Sequence, residues 1–178
     1  MHIEYEVRVL DIEIEEMRKK LEALDAKKIG SHFQKRYVYD MSNEEKGKFM
    51  RLRTNGDKTT LTVKHRYDDA KIGGVTELET EVGDFARMHK ILEDIGYKET
   101  NYQENKRETY HLEEVEIDID TWPLIPTYME IEGKSEEVVQ KYIEILGVKD
   151  HALTTESIPN VYKKYDINLD DHQNLTFE

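Results

Sequence analysis

Apolar and charged residues alternate strictly along the first nine residues of the chain. The apolar positions are Ile3, Tyr5, Val7 and Val9, and the charged positions between them are Glu4, Glu6 and Arg8. A period of two is that of a β-strand with two unlike faces. Because the charged face carries two carboxylates followed by a guanidinium, this strand predicts a site for a cation beside a site for an anion.

The same period predicts that much of the remaining chain forms antiparallel strands. We expect them at residues 33–40, 48–54, 59–67, 75–82, 97–102, 105–113, 114–120 and 128–132. Asn55-Gly56 and Gly73-Gly74 are typical of hairpin turns between three of these strands. The polar stretch 42–48 is expected to be a mobile connection.

Helical spacing of apolar residues predicts four helices. They are expected from a cap at Asp11 to about 28 with Gly30 as the stop, from a cap at Asp84 to about 95, from Ser135 to about 146, and at about 157–165. The length of 178 residues suits a single domain with a core over about 1–165 and a tail over about 168–178. We expect the acidic tail to be loosely ordered.

Basic and acidic residues are segregated by strand. Basic side chains share one face of 48–54 and 59–67, whereas acidic side chains share one face of 75–82, 114–120 and 128–132. One interpretation is that each charged face is solvated, as one side of an antiparallel sheet often is. The joint pattern favours another interpretation, because long rows of like charge destabilise neighbouring strands unless counter-charges lie opposite. A sheet closed into a barrel would set rows of Arg and Lys across from rows of Glu and Asp.

The composition of the chain argues against several kinds of ligand, site and cellular location. The chain has 39 acidic and 26 basic residues, a net charge of −13, which argues against non-specific binding to nucleic acid. It has no cysteine, which excludes disulfides, a thiol nucleophile and a thiolate zinc site. No apolar run is long enough to span a bilayer and no signal-peptide pattern is present, so we expect a cytoplasmic protein.

A polar barrel interior suits a polyanion together with a hard divalent cation. Mg²⁺ prefers oxygen ligands, arginine can hold phosphate with two parallel hydrogen bonds, and lysine adds a point charge. The candidates are Glu4, Glu6, Glu130 and Glu132 for the cation, and Arg51, Arg53 and Lys64 for phosphate.

These residues resemble the motifs of the CYTH superfamily, the triphosphate tunnel metalloenzymes that include class IV adenylate cyclases, thiamine triphosphatases and inorganic triphosphatases. Glu4-Tyr5-Glu6-Val7-Arg8 is similar to the Glu-x-Glu-x-Lys signature of the family, and Arg51-Leu52-Arg53 is similar to its Arg-x-Arg strand. Further matches follow in the family's order at Lys64, Glu79 with Glu81, Arg107 with Tyr110, Asp120, and Glu130-Ile131-Glu132. The resemblance runs from residue 1 to about 165.

The resemblance implies an α+β fold in which an eight-stranded antiparallel β-barrel forms a tunnel and helices pack on its outside. It also implies Mg²⁺ or Mn²⁺ as cofactor and a small-molecule triphosphate as partner, without nucleic acid or membrane; a homodimer is left open. The implied metal ligands are Glu4, Glu6, Glu79, Glu81, Asp120, Glu130 and Glu132. For Glu79, Glu81 and Asp120 the alternative is that they hold basic side chains in place. The implied substrate-binding residues are Arg8, Arg51, Arg53, Lys64, Lys106 and Arg107, and the implied catalytic residues are Glu4, Glu6, Arg8 and Lys64.

The chain departs from the family's motifs at two positions. Arg8 replaces the signature lysine; it keeps the positive charge but cannot act as a base, since arginine stays protonated. Asn105 stands at the first position of the family's Lys-x-Arg segment, and the neighbouring Lys106 points to the other face of an ideal strand. A β-bulge there would bring Lys106 inward.

The sequence leaves three functions open. Attack of water on a phosphorus atom would make the protein a triphosphatase, which is the function that we favour. Attack of the ATP 3′-hydroxyl on the α-phosphorus would make it an adenylate cyclase that releases pyrophosphate. The third function is a non-catalytic module that binds triphosphate or polyphosphate.

Overall fold

The computed structural model describes residues 2–41 and 45–177, and within them eight strands close into an antiparallel barrel. The strands are β1 (His2–Val9), β2 (Lys27–Asp40), β3 (Lys48–Thr54), β4 (Thr59–Arg66), β5 (Val75–Val82), β6 (Asn101–Leu112), β7 (Val115–Thr121) and β8 (Tyr128–Gly133). Their order around the barrel is β1-β5-β4-β3-β2-β6-β7-β8, and β8 pairs again with β1. The predicted fold class is confirmed. Residues 42–44 of the expected mobile connection lie outside the described residues.

Four helices pack on the outside of the barrel: α1 (Ile14–Ala23), α2 (Phe85–Asp94), α3 (Glu136–Ile145) and α4 (Ile158–Lys163). Asp84 and Ser135 cap α2 and α3 as predicted, since their side chains accept the backbone N–H of Arg87 and Val138. Among the described helices, none has the length and apolar character that a membrane span needs.

The apolar faces of the strands point outward and are covered by these helices. Val7 and Val9 of β1 pack with Ile131 of β8 against Val139 and Ile143 of α3. A second apolar cluster joins α2 to β2 and β3, and a third joins α4 to the C-terminal segment. Since each large apolar side chain gains about 1.5–3 kcal/mol on burial, this packing fixes which face of each strand turns inward. The inward face is the charged one.

The first helix is shorter than predicted at both ends. Asp11 does not cap it, because the backbone of Asp11 is left-handed with φ of 54° and α1 starts at Ile14. Asp25 is also left-handed, with φ of 57°, and ends α1 well before Gly30. Gly30 instead pairs with Thr109 inside β2, which is six residues longer at its start than the predicted strand.

The predicted strands at 97–102 and 105–113 form one strand, β6, which starts only at Asn101. The expectation of a loosely ordered tail is wrong for the described residues. A short 3₁₀ turn at Leu169–Asp171 precedes a two-residue strand (Asn174–Leu175) that pairs in parallel with β6. Leu169 and Leu175 are buried beside α4, so the tail closes over part of the barrel.

Candidate functional site

The barrel encloses a cavity of about 1000 Å³ to which all eight strands contribute side chains. Residues 157–159 and Leu169 with Asp170 also line it, so the C-terminal region forms part of its wall. The cavity wall is largely charged, because the inward face of each strand carries the polar residues. An enclosed space of this kind can hold a small polar ligand.

Basic and acidic side chains occupy different parts of the cavity wall. Most of the basic ones come from β2, β3 and β4, and most of the acidic ones come from β5, β1 and β8; Arg8 on β1 and Glu116 on β7 are among the exceptions. β3 and β8 are four strands apart in the closed order of eight strands. Arg51 and Arg53 therefore face Glu130 and Glu132 from opposite walls.

The acidic wall is built around paired positions on β1 and β8. Glu6 is the Cα partner of Glu132, and Glu130 is the partner of Arg8. Burial, and then the like charges of Glu6 and Glu4, raise the pKa of Glu132 to about 8. Glu4 is 5% exposed, and its Oε2 is buried without a hydrogen-bond partner among the described residues.

Glu4, Glu6 and Glu130 each contact a basic side chain, whereas Glu132 contacts none among the described residues. Glu4, Glu6, Glu130 and Glu132 supply oxygen ligands only, with an unused buried oxygen among them, and this donor set fits a hard divalent cation such as Mg²⁺ or Mn²⁺. We therefore consider these four side chains the candidate metal ligands.

Three of the predicted phosphate contacts already have carboxylate partners. Lys64 Nζ lies 2.5 Å from Glu4 Oε1 and 3.4 Å from Glu77 Oε2. Arg8 Nη2 lies 2.8 Å from both Glu6 Oε1 and Glu130 Oε1, and these charges raise the pKa of Arg8 in spite of its burial. A phosphate that binds either cation would share it with a carboxylate.

Arg107 is the most fully neutralised of the three. Its guanidinium donates to Asp118 Oδ2 at 2.5 Å, to Glu130 Oε2 at 2.6 Å and to both oxygens of Asp120. Burial alone would lower its pKa, but these carboxylates hold that pKa well above the usual value. Burial raises the pKa of Asp118 to about 7 against the attraction of Arg107.

The arginines of β3 are less well paired. Arg51 Nη2 lies 3.6 Å from Glu79 Oε2, whereas Arg53 forms no ion pair within the described part of the chain. Repulsion from Arg51, then burial and repulsion from Arg107, lowers the pKa of Arg53 to about 9. This wall therefore carries positive charge that an anion would neutralise.

The structure does not bring every predicted site residue to the cavity. Lys106 is exposed on the outer face, where its Nζ lies 4.7 Å from the ring centre of Phe177, and β6 runs past it without a bulge. The Glu81 side chain is 67% exposed and pairs with Lys58 at 2.9 Å. Asp120 is fully buried behind the wall, where it binds Arg107 and Asn105.

Glu79 and Asp120 both contact polar side chains, as the second of the two roles considered for them requires. Thr62 Oγ1 donates to Glu79 at 2.6 Å, and Arg51 lies beside it. Sequence reasoning missed Arg36 as a member of the polar interior, and it placed Arg66, Glu77 and Asp118 on charged strand faces without naming them as site residues. Alternation along each strand identifies such residues, because every second side chain lies on the same face. Arg36 lies two residues from Gln34 on β2, and Arg66 lies two residues from Lys64 on β4.

Comparison with known proteins agrees with this architecture. PH1012 from Pyrococcus horikoshii OT3 is similar with a TM-score of 0.76 and 23% identity, over 87% of this chain and 96% of that one. A Vibrio parahaemolyticus protein described as a proposed adenylate cyclase gives a TM-score of 0.66 and 13% identity, over 99% of this chain and 95% of that one.

A third similar structure is HpAC1 from Hippeastrum, a proposed adenylyl cyclase described as having a dominant triphosphatase activity. Its TM-score is 0.60 at 16% identity, over 97% of this chain and 100% of that one. At these identities the likeness concerns the fold. No curated protein matches the sequence significantly.

The family assignment rests on the sequence itself. The model of the CYTH domain matches residues 2–158, which include all eight barrel strands and the carboxylate and arginine walls. Together with the closed barrel, this match shows that the chain belongs to the CYTH domain family.

Proposed function

We propose that the protein is a divalent-metal-dependent triphosphatase that hydrolyses inorganic triphosphate, or a nucleoside or other organic triphosphate, inside the barrel. The observation that carries this proposal is the division of the cavity wall. One wall holds Arg53, which has no ion-pair partner among the described residues, and the other holds a cluster of carboxylates in which like charges raise the pKa of Glu132. A triphosphate with a divalent cation complements both walls at once.

Each wall has a distinct part in the proposed reaction. Arg51 and Arg53 bind and orient the phosphate chain, and phosphoryl transfer depends mainly on such positioning and on charge stabilisation. Glu4, Glu6, Glu130 and Glu132 would hold Mg²⁺ or Mn²⁺. When bound, the ion supplies Lewis-acid polarisation of a phosphate and a more acidic water.

Arg8 lies among the carboxylates of the acidic wall, and Lys64 reaches that wall from β4. Arg8 keeps its proton, because Glu6 and Glu130 raise its pKa, so it contributes charge to the transition state and does not act as a base. Lys64 would contact the phosphate chain, and its partner Glu4 would be one of the residues that hold the cation.

Adenylate cyclase activity is the second candidate, supported by the description of the Vibrio parahaemolyticus protein, whose fold this chain shares. The description of HpAC1 names triphosphatase activity as dominant, which supports hydrolysis as the first candidate. A cytoplasmic location, a homodimer and a non-catalytic binding role stay predictions.

Phosphate release from tripolyphosphate with Mg²⁺ tests the proposed site. Glu6→Gln and Arg53→Ala each remove a charge from one wall, and the loss of a transition-state contact of this kind costs about 3 kcal/mol or ~100-fold in rate. Glu81→Gln removes the same charge as Glu6→Gln from the exposed end of β5 and should keep the wild-type rate. Unchanged turnover in folded Glu6→Gln and Arg53→Ala variants would contradict the assignment.

A further inference from the structure

Arg36 is a cavity residue for which the proposed reaction has given no role. It lies on the inward face of β2, where its Cα partners are Arg53 of β3 and Gln103 of β6. The side chain lines the cavity although the residue is only 5% exposed. Its position places a third arginine beside Arg51 and Arg53.

Neutral groups fix the guanidinium of Arg36. Its Nη2 donates to Gln34 Oε1 at 2.9 Å and also to Asn105 Oδ1. Its Cζ lies 4.6 Å from the ring centre of Trp122, in cation–π geometry. These contacts orient the group but supply no negative charge.

Arg36 lacks a counter-ion within the described residues. Asp120 attracts it from a distance but is already bound to Arg107 and Asn105. Arg36 Nε is buried without a hydrogen-bond partner. A buried charge without a partner is costly in a folded protein. Burial, and then repulsion from Arg51, Arg53 and Arg107, lowers the pKa of Arg36 well below its usual value.

The contact with Asn105 shows which part of the cavity wall receives the positive charge of Arg36. Asn105 stands at the position where the resembled motif has a lysine, and its amide is too short and neutral to replace that cation. Arg36 reaches Asn105 from the neighbouring strand and brings a guanidinium to the same part of the wall.

We propose that Arg36 is a phosphate-binding residue of the tunnel and forms, with Arg51 and Arg53, a three-arginine site for one end of a polyphosphate chain. The proposal rests on the proposed function, since it assumes that a triphosphate enters the cavity. Arg36 Nη1 donates to no described residue and can supply hydrogen bonds to phosphate oxygens.

Calorimetric titration with tripolyphosphate in the presence of a chelator tests this role. A hydrogen bond to a charged group contributes about 1.5–3 kcal/mol, so Arg36→Gln should raise the Kd by ~10- to 100-fold. Lys35→Gln removes the same charge one residue away on the exposed outer face and should change the Kd by less than about twofold. Arg36→Lys keeps the charge but loses the bidentate geometry of the guanidinium, so its Kd should lie between those of Arg36→Gln and Lys35→Gln.

Thermal unfolding separates ligand binding from a structural role. Without ligand, Arg36→Gln should be at least as stable as the wild type, because the substitution removes a buried charge that three arginines repel. With saturating tripolyphosphate its rise in Tm should be smaller than that of the wild type. An unchanged Kd for Arg36→Gln would overturn the proposal, whether or not the free variant is destabilised. A wild-type protein that binds no tripolyphosphate either with the chelator or with Mg²⁺ would overturn the proposed function and this inference together.

Discussion

Glu4→Gln is expected to change the protein in opposite directions without and with a divalent cation. In the free protein, Glu4 Oε1 accepts a hydrogen bond from Lys64 Nζ at 2.5 Å, and both residues are buried. A phosphate that binds Lys64 must compete with this carboxylate, whose charge-assisted hydrogen bond contributes about 1.5–3 kcal/mol. A neutral glutamine competes less, so metal-free binding of tripolyphosphate should tighten by about 1.4 kcal/mol, which is ~tenfold in Kd.

With Mg²⁺ the same substitution removes a candidate metal ligand. Stabilisation of transition-state charge by a metal is worth several kcal/mol, and a loss of about 2 kcal/mol lowers phosphate release by ~30-fold. The variant should therefore bind tripolyphosphate more tightly without the cation and turn it over more slowly with it.

Two assays at one fixed ionic strength measure these effects: titration calorimetry with tripolyphosphate and a chelator, and phosphate release with Mg²⁺. Glu81→Gln is the matched control, because it removes an identical charge from a side chain that is 67% exposed and paired with Lys58. The control should leave both measurements within about twofold of the wild type, since exposed charges are screened. If Glu4→Gln weakens metal-free binding or leaves it unchanged, Lys64 does not exchange Glu4 for phosphate and the reasoning is refuted.

Two further predictions concern stability. Hydrogen bonding to Arg18 is the main cause that lowers the pKa of Glu108 from 4.5 to about 2, so its stabilisation is complete above pH 4.5 and is lost as the pH falls towards 2. Glu108→Gln should lower the free energy of unfolding by about 1–2 kcal/mol at pH 7 after allowance for solvent screening, and this difference should shrink in denaturant titrations at pH 3; an equal difference at both pH values would contradict the assignment. Leu175→Ala should cost about 2–4 kcal/mol because Leu175 is buried against the barrel, whereas Leu124→Ala, at a side chain that is 62% exposed, should cost less than about 0.5 kcal/mol. A cost below about 1 kcal/mol for Leu175→Ala would show that the tail is not docked in solution.

The barrel and most of its charged interior could be predicted from the sequence because strand parity is a local property. Once the apolar residues of β1 pack outward, Glu4, Glu6 and Arg8 must point inward, and the same holds for Arg51 and Arg53 on β3. The boundaries of α1 could not be predicted in this way. Asp11 and Asp25 adopt left-handed backbones that the helical period does not encode.

The pairing of charges across strands could not be predicted from the sequence either, because it depends on the register between neighbouring strands. Arg107 looked like a free phosphate contact until its position on β6 set it beside Asp118 and Asp120 of β7. Arg36 was not predicted as a site residue, because its pairing with Arg53 and its contact with Asn105 join positions that are distant in the sequence. Local alternation thus identifies which residues enter the barrel, and the three-dimensional register decides which of them stay unpaired.

The most direct test of triphosphatase function is a ³¹P NMR time course with tripolyphosphate and, in parallel, ATP. With Mg²⁺ or Mn²⁺, the account predicts orthophosphate from at least one of them, with no product after chelation of the metal. Release of pyrophosphate together with cyclic AMP from ATP, without orthophosphate from either compound, would contradict it and identify a cyclase.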